Sequence, residues 1–217
     1  MLPMPLIVPL GDRGLLVRFA ETLDDEANSA AVSFARTLQA TPPSGVVEVV
    51  PNLVSVLVRY DPARIGFAEL RGEMQLQLLA GAGAALPGKP VQPIAVRYGG
   101  EDGPDLEEVA GASGLGADDF VARHSGADLR VLAIGFAPGF AYCGFHGDLP
   151  PLPRRGAVRP MVPAGTVLYA AGQTALTATP IPTGWHVIGR TDFINFHAGA
   201  EPPLSLVAGD SVRFMVS

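Results

Sequence analysis

From Asp128 onward, glycine or proline interrupts every β-rich run after a few residues. The runs are "DLRVLAIGF", "GTVLYAAG", "WHVIGRT", "DFINF" and "DSVRFMV". Proline removes a backbone donor and breaks helices, and glycine supplies turn conformations that other residues resist. A chain punctuated in this way cannot form long helices there. It predicts many short strands joined by tight turns, the pattern of a barrel or sandwich.

The first part of the chain has a different rhythm. "MLPMPLIVPLGDRG" is apolar but short, carries three Pro and no basic n-region, and reads as a first strand rather than a leader. "GLLVRF" (14–19) is a strand. "TLDDEANSAAVSFARTLQA" is a helix with Thr22 as the expected N-cap and Ala27, Ala31, Phe34 and Leu38 as its apolar stripe. "GVVEVVPNLVSVLVRYDP" is a hairpin turning at Pro51-Asn52, with Val54, Val56 and Val58 on one face and Leu53, Ser55, Leu57 and Arg59 on the other. Phe67, Leu70, Met74 and Leu78 mark a second helix. From residue 14 the order is βαββα, an α+β sandwich with its helices on one face of an antiparallel sheet.

"AGAGAALPGKP" (80–90) is a linker by composition. The expected division is an N-terminal α+β domain at 1–85 and a β-barrel domain at 86–217. The second begins with the strand "VQPIAVRYGG" and two short helices, "PDLEEVAGASG" and "ADDFVARHSG".

The 217 residues are 48% hydrophobic and 17% charged, with a net charge of −6. That balance gives no reason to expect nucleic acid or an anionic membrane as partner. Cys143 is the sole cysteine, which excludes an internal disulfide or a Cys-based zinc site, fits a cytoplasmic location, and reads as a small buried hydrophobe. His186 and His197 are eleven residues apart and read as structural or solvated rather than as metal ligands. There is no Walker A, HExxH or GxSxG sequence.

Two features carry chemistry. Between Leu149 and Thr191 there is no Asp or Glu, yet Arg154, Arg155, Arg159 and Arg190 lie there. Such an island suits a carboxylate or phosphate, which guanidinium grips with two bonds; its alternative is pairing with acids elsewhere in the fold. "GFAPGFAYCGFHGDLPPLPRR" (135–155) places Phe136, Phe140, Tyr142 and Phe145 among glycines and prolines, with at least two of these rings expected in the core. Gln173, after "AAG", either faces a ligand or stabilises a turn.

"GFAPGFAYCGF" resembles the GFxPGFPYLGG signature of the allophanate hydrolase subunit 1 or Kip inhibitor family, which includes the B-type subunit of 5-oxoprolinase. The resemblance runs on through "LPRRGAVRPMVPAGTVLYAAGQT", "PTGWHVIGRT" and "GDSVRF", and His124 stands where the family carries a His. Ala141, the "CGFHG" run, Ala175 and Thr183 depart from the family pattern without breaking its frame. The resemblance implies a cyclophilin-like β-barrel as the C-terminal domain. It also implies a larger partner, the allophanate hydrolase subunit 2 homologue (the C-type subunit of 5-oxoprolinase). The two are expected in a heterotetramer that forms the ATP- and Mg-using part of 5-oxoprolinase, with a third component completing the opening of 5-oxoproline to glutamate. Phosphorylation would activate the poor lactam electrophile, with cations and N–H donors stabilising the charge. The candidate substrate- or nucleotide-binding residues are His124, Tyr142, Arg154, Arg159, Gln173 and Arg190, with no catalytic base assigned and no metal ligand on this chain. A regulatory protein inhibiting a sensor histidine kinase is the alternative. Prolyl isomerisation, suggested by the barrel alone, has no residue here to support it.

Overall fold

The computed structural model describes residues 4–80 and 90–217. The chain divides into two compact units, Met1–Gly88 and Lys89–Ser217. The linker expected at 80–90, and the division expected between 85 and 86, fall almost wholly outside the described residues.

In the first unit, strands β1 (Leu6–Pro9), β2 (Gly14–Arg18), β3 (Val46–Pro51) and β4 (Ser55–Tyr60) form an antiparallel sheet in the order β1-β2-β4-β3. Helices α1 (Asp25–Ala40) and α2 (Phe67–Leu79) complete it. One face of the sheet supplies Leu15, Val17, Val56 and Val58 to a core shared with Ala31, Phe34 and Leu38 of α1 and Leu70 and Met74 of α2. The alternation in β4 is as the sequence predicts: Val56 and Val58 are buried and Arg59 is exposed. The helix start is corrected. Asp24, not Thr22, is the N-cap, its Oδ1 accepting from the Ala27 N–H at 2.8 Å. A carboxylate at the positive helix end satisfies an orphan N–H with added charge stabilisation.

The second unit is a closed barrel. Its strands are β5 (Gln92–Tyr98), β6 (Asp128–Ile134), β7 (Ala141–Gly144), β9 (Thr166–Ala170), β10 (Gln173–Leu176), β12 (His186–Arg190) and β13 (Ser211–Val216), in the order β10-β7-β6-β13-β5-β12-β9. Helices α3 (Leu106–Ala112) and α4 (Ala117–Gly126) pack against it through Val109 and Phe120. Strands β8 (Arg159–Val162) and β11 (Ile181–Thr183) form a separate two-stranded sheet.

One expectation changes. "DFINF" is not a strand; it contributes only an isolated bridge between Phe196 and Leu204. Within the Gly- and Pro-rich 135–155 segment, Ala141–Gly144 is the barrel strand β7, paired with β6 and β10.

Strand β9 shows how the barrel positions what lies outside it. All five of its residues are buried. Val167 and Tyr169 point into the main barrel core. Leu168 and Ala170, on the opposite face, join a second core with Phe140, Val162, Ile181 and Trp185. A strand buried on both faces reads as a continuous apolar run. The second core attaches the two-stranded sheet to the barrel and holds Phe140, with Tyr142 packed against it.

Candidate functional site

Each strand of the two-stranded sheet lines a pocket. β11 residues line one and β8 residues line the other. Together they sort most of the candidate residues.

The first pocket, about 120 Å³, is walled by rings. Phe136 and Phe140 lie 5.5 Å apart between ring centres, Phe140 and Tyr142 4.8 Å, and Tyr142 and Trp185 5.9 Å. All three contacts are edge-to-face, the favoured arrangement for aromatic quadrupoles. The Arg154 guanidinium closes the series 5.8 Å from the centre of the Trp185 ring, within cation–π range. Among the described residues Arg154 has no carboxylate partner. Burial raises the Tyr142 phenol pKa, with nearby Arg154 acting against that rise.

The local backbone is built for this wall. Gly139 has a φ of 68°, and a Cβ there would stand 2.5 Å from the Phe196 Cβ and 2.8 Å from the Ala178 Cβ, so only glycine fits. Phe136 also has a positive φ, 74°, and its ring is 71% exposed. For a bulky residue this conformation costs on the order of 1–3 kcal/mol, and such strain clusters at ligand sites. The expectation that at least two of the four rings are core holds only for Phe140. Tyr142 and Phe145 are half-buried, because the segment borders the pocket.

The second pocket, about 150 Å³, brings Arg159 and Arg190 together with Glu101, Asp102 and Thr166. Its charges are largely matched. Asp102 pairs with Arg97 at 2.9 Å. Arg159 joins Arg155 on one oxygen of Asp105, each at 2.5 Å. The other Asp105 oxygen accepts the Val187 N–H at 2.8 Å. Burial pushes the Asp105 carboxyl up, but the Val187 N–H and the two guanidiniums outweigh it and hold it below the ordinary carboxylate range. Sequence reasoning placed Asp105 only near a helix start. It sits 50 and 54 residues from its Arg partners, a separation that leaves no local signal.

His124 and Gln173 line neither pocket. His124 is fully buried; its Nδ1 meets the Tyr98 hydroxyl at 2.8 Å and its Nε2 meets the Thr174 hydroxyl at 2.7 Å. His146 Nε2 meets the same hydroxyl at 2.8 Å, and the two imidazoles stack with centres 4.8 Å apart. Burial, with the neighbouring His146, drives the His124 pKa well below the usual imidazole value, and burial lowers that of His146 to about 4. Both rings are therefore neutral at pH 7. The pairing of His146 with His124 spans two strands and a helix, and no periodic signal in the sequence marks it. Gln173 is buried in β10, and its Oε1 has no hydrogen-bond partner. Cys143 is buried within β7, its thiol pushed up to about 12. His186 is buried, with Nε2 facing the Pro153 carbonyl at 3.1 Å, whereas His197 is exposed.

A larger cleft of about 550 Å³ in the first unit is lined by Glu69, Glu73 and Arg64. Its excess of negative charge is unsuited to a phosphate. No group of three His, Cys, Asp or Glu among the described residues is placed to hold a metal, and no described helix is long and apolar enough to cross a membrane.

Comparison with known proteins places this geometry in context. Residues 5–206 match the carboxyltransferase domain family, subdomains C and D. The chain is 33% identical over 219 residues to the B-type subunit of 5-oxoprolinase from Bacillus subtilis (strain 168), covering 96% of this chain and 91% of that one. It is 30% identical over 216 residues to the corresponding 5-oxoprolinase subunit from Haemophilus influenzae, covering 97% of each. Among solved structures, TTHA0988 superposes with a TM-score of 0.81 at 37% identity over 94% of this chain, which spans only 40% of that longer chain. Urea carboxylase of Kluyveromyces lactis shares the fold, with a TM-score of 0.72 at 16% identity over 98% of this chain and 22% of that one. On this coverage, the chain belongs to the family of the B-type 5-oxoprolinase subunits and their carboxyltransferase subdomain C and D relatives.

Proposed function

We propose that the chain is a subunit of an ATP-dependent amide or lactam hydrolase, acting on 5-oxoproline and active only together with an allophanate hydrolase subunit 2 homologue. The observation that carries this reading is the ring-walled pocket with a guanidinium that has no carboxylate partner among the described residues, built by the segment that resembles the family signature. It offers an anion site and no attacking group. Cys143, the one thiol, is buried and protonated. The chain's own part is to bind and orient the substrate, and to keep water from one side of it.

The two pockets beside the small sheet do not fit ATP with Mg. At about 120 and 150 Å³ they fall well below the roughly 300–1,000 Å³ of ordinary ligand clefts. In this reading the nucleotide and its metal are held mainly by the larger partner, in a cytoplasmic heterotetramer. Co-expression with that partner, followed by an assay of 5-oxoproline-dependent ATP hydrolysis, tests it. The complex turns over and the purified chain alone does not. Turnover by the single chain refutes the dependence on a partner. A complex without turnover, in a chain that binds the dimerisation helices of a histidine kinase, favours the regulatory alternative.

A further inference from the structure

The Arg island of the sequence is not one site. Arg155 and Arg159 share one oxygen of Asp105, and Arg190 lies close enough to Asp192 to lower that carboxyl's pKa. Among the described residues, Arg154 alone of the four lines a pocket that has no acid in its lining.

We propose that Arg154, Trp185, Tyr142, Phe140 and Phe136 form a subsite for a small monocarboxylate whose body is a single ring. The carboxylate pairs with the guanidinium, and the ring lies among the aromatic walls. Three observations fix the ligand class. The first is charge. An aromatic box by itself attracts cations, but a permanent cation at its edge reverses the preference. The second is size. A dry cavity of about 150 Å³ holds a benzene-sized molecule, so a pocket of about 120 Å³ encloses one five- or six-membered ring and is too small to enclose a nucleotide. The third is preorganisation. The Arg155 N–H donates to the Gly184 carbonyl at 2.7 Å, tying the backbone beside Arg154 to the turn before Trp185. The Trp185 N–H in turn donates to the Thr183 hydroxyl at 3.0 Å. Phe140 and Trp185 are anchored in the second core, while exposed Phe136 stands at the mouth. The walls are rigid where they are deep and open where a ligand enters.

The inference rests on the proposed function for its natural occupant. In that case this chain holds the carboxylate end of 5-oxoproline and leaves the lactam carbonyl to the partner. The subsite itself does not depend on that reading. Trp185 is the only tryptophan, so its fluorescence reports on this pocket directly. The full chain is titrated with 5-oxoproline, with cyclopentanecarboxylate, which keeps the ring and the charge, and with 2-pyrrolidinone, which keeps the lactam and lacks the charge. Both carboxylates give a saturable change. 2-Pyrrolidinone binds at least tenfold more weakly, and Arg154→Ala weakens both carboxylates by roughly ten- to hundred-fold. Arg154→Lys, which keeps the charge but loses the planar fork, falls between. If 2-pyrrolidinone binds as well as the carboxylates, if Arg154→Ala binds like the unmodified chain, or if no carboxylate binds, the subsite is wrong. In the complex with the larger partner, Arg154→Ala raises KM for 5-oxoproline more than it lowers kcat. Carboxylate binding without any 5-oxoproline turnover by the complex removes the proposed function and leaves the subsite. Normal turnover with KM unchanged in Arg154→Ala removes the subsite and leaves the proposed function.

Discussion

Arg154 and Arg155 are neighbours in sequence and have opposite fates. Arg155 turns toward α3 and shares the Asp105 carboxylate with Arg159; the Asp105 side chain is 5% exposed. Arg154 turns toward Trp185, stays exposed, and has no acid partner among the described residues. Both are guanidiniums in the same acid-free stretch. The difference is set by what the fold brings opposite each one, and it divides a charge knot that holds α3 to the barrel from a cation available to a ligand.

The contrast is sharpest at Asp105. Asp105→Ala leaves two guanidiniums and the Val187 N–H without their shared acceptor. Removing one partner of a buried ion pair costs about 3–5 kcal/mol. The lower end applies, because the Arg155 and Arg159 side chains keep 23% and 32% of their surface in water. A urea midpoint shift equivalent to about 3 kcal/mol is expected; a loss below about 1 kcal/mol means the knot does not hold α3.

A second buried polar group, the Thr174 hydroxyl shared by His124 and His146, extends the comparison to an uncharged knot. Thr174→Val keeps the shape and strands two ring nitrogens, so a loss of about 2 kcal/mol is expected from denaturant unfolding. A near-neutral result shows that water replaces the hydroxyl.

The same pair predicts an acid sensitivity. Both imidazoles titrate below their unfolded value of about 6.5. The unfolded chain therefore binds more protons below that pH, and stability falls as pH drops. The loss begins near the unfolded value and, for His146, continues to about 4. Each His contributes a slope on the order of 1 kcal/mol per pH unit. Unfolding followed from neutral pH down to the His146 value shows the decline, and His146→Gln reduces its slope. An unchanged slope in that variant assigns the decline to other groups.

The smallest effect on stability is expected where the functional claim is strongest. Arg154→Ala changes stability by no more than about 0.5 kcal/mol, as at most exposed positions, whereas Arg155→Ala loses about 1 kcal/mol because Asp105 keeps one guanidinium. Equal losses in the two variants, measured side by side, erase the distinction between knot and site.

What the sequence determined by itself is what local physics determines. The stripe Ala27, Ala31, Phe34 and Leu38 and the alternation Val56, Val58 against Arg59 follow from helix and strand periods, so the α+β unit was legible. The Gly and Pro rhythm after Asp128 announced short strands, and the signature between Gly135 and Phe145 pointed to the family. The tertiary structure alone decided which element each ambiguous segment becomes and which side chains meet. Strand β7 hides in a segment whose composition suggests a loop, because Ala141–Gly144 gains its hydrogen bonds from β6 and β10. "DFINF" has strand-forming residues but only one bridging neighbour. Asp105 finds its arginines, and His124 finds His146, only after the barrel closes. Pairings between residues so far apart depend on the register of several strands at once, and no window of sequence contains that information.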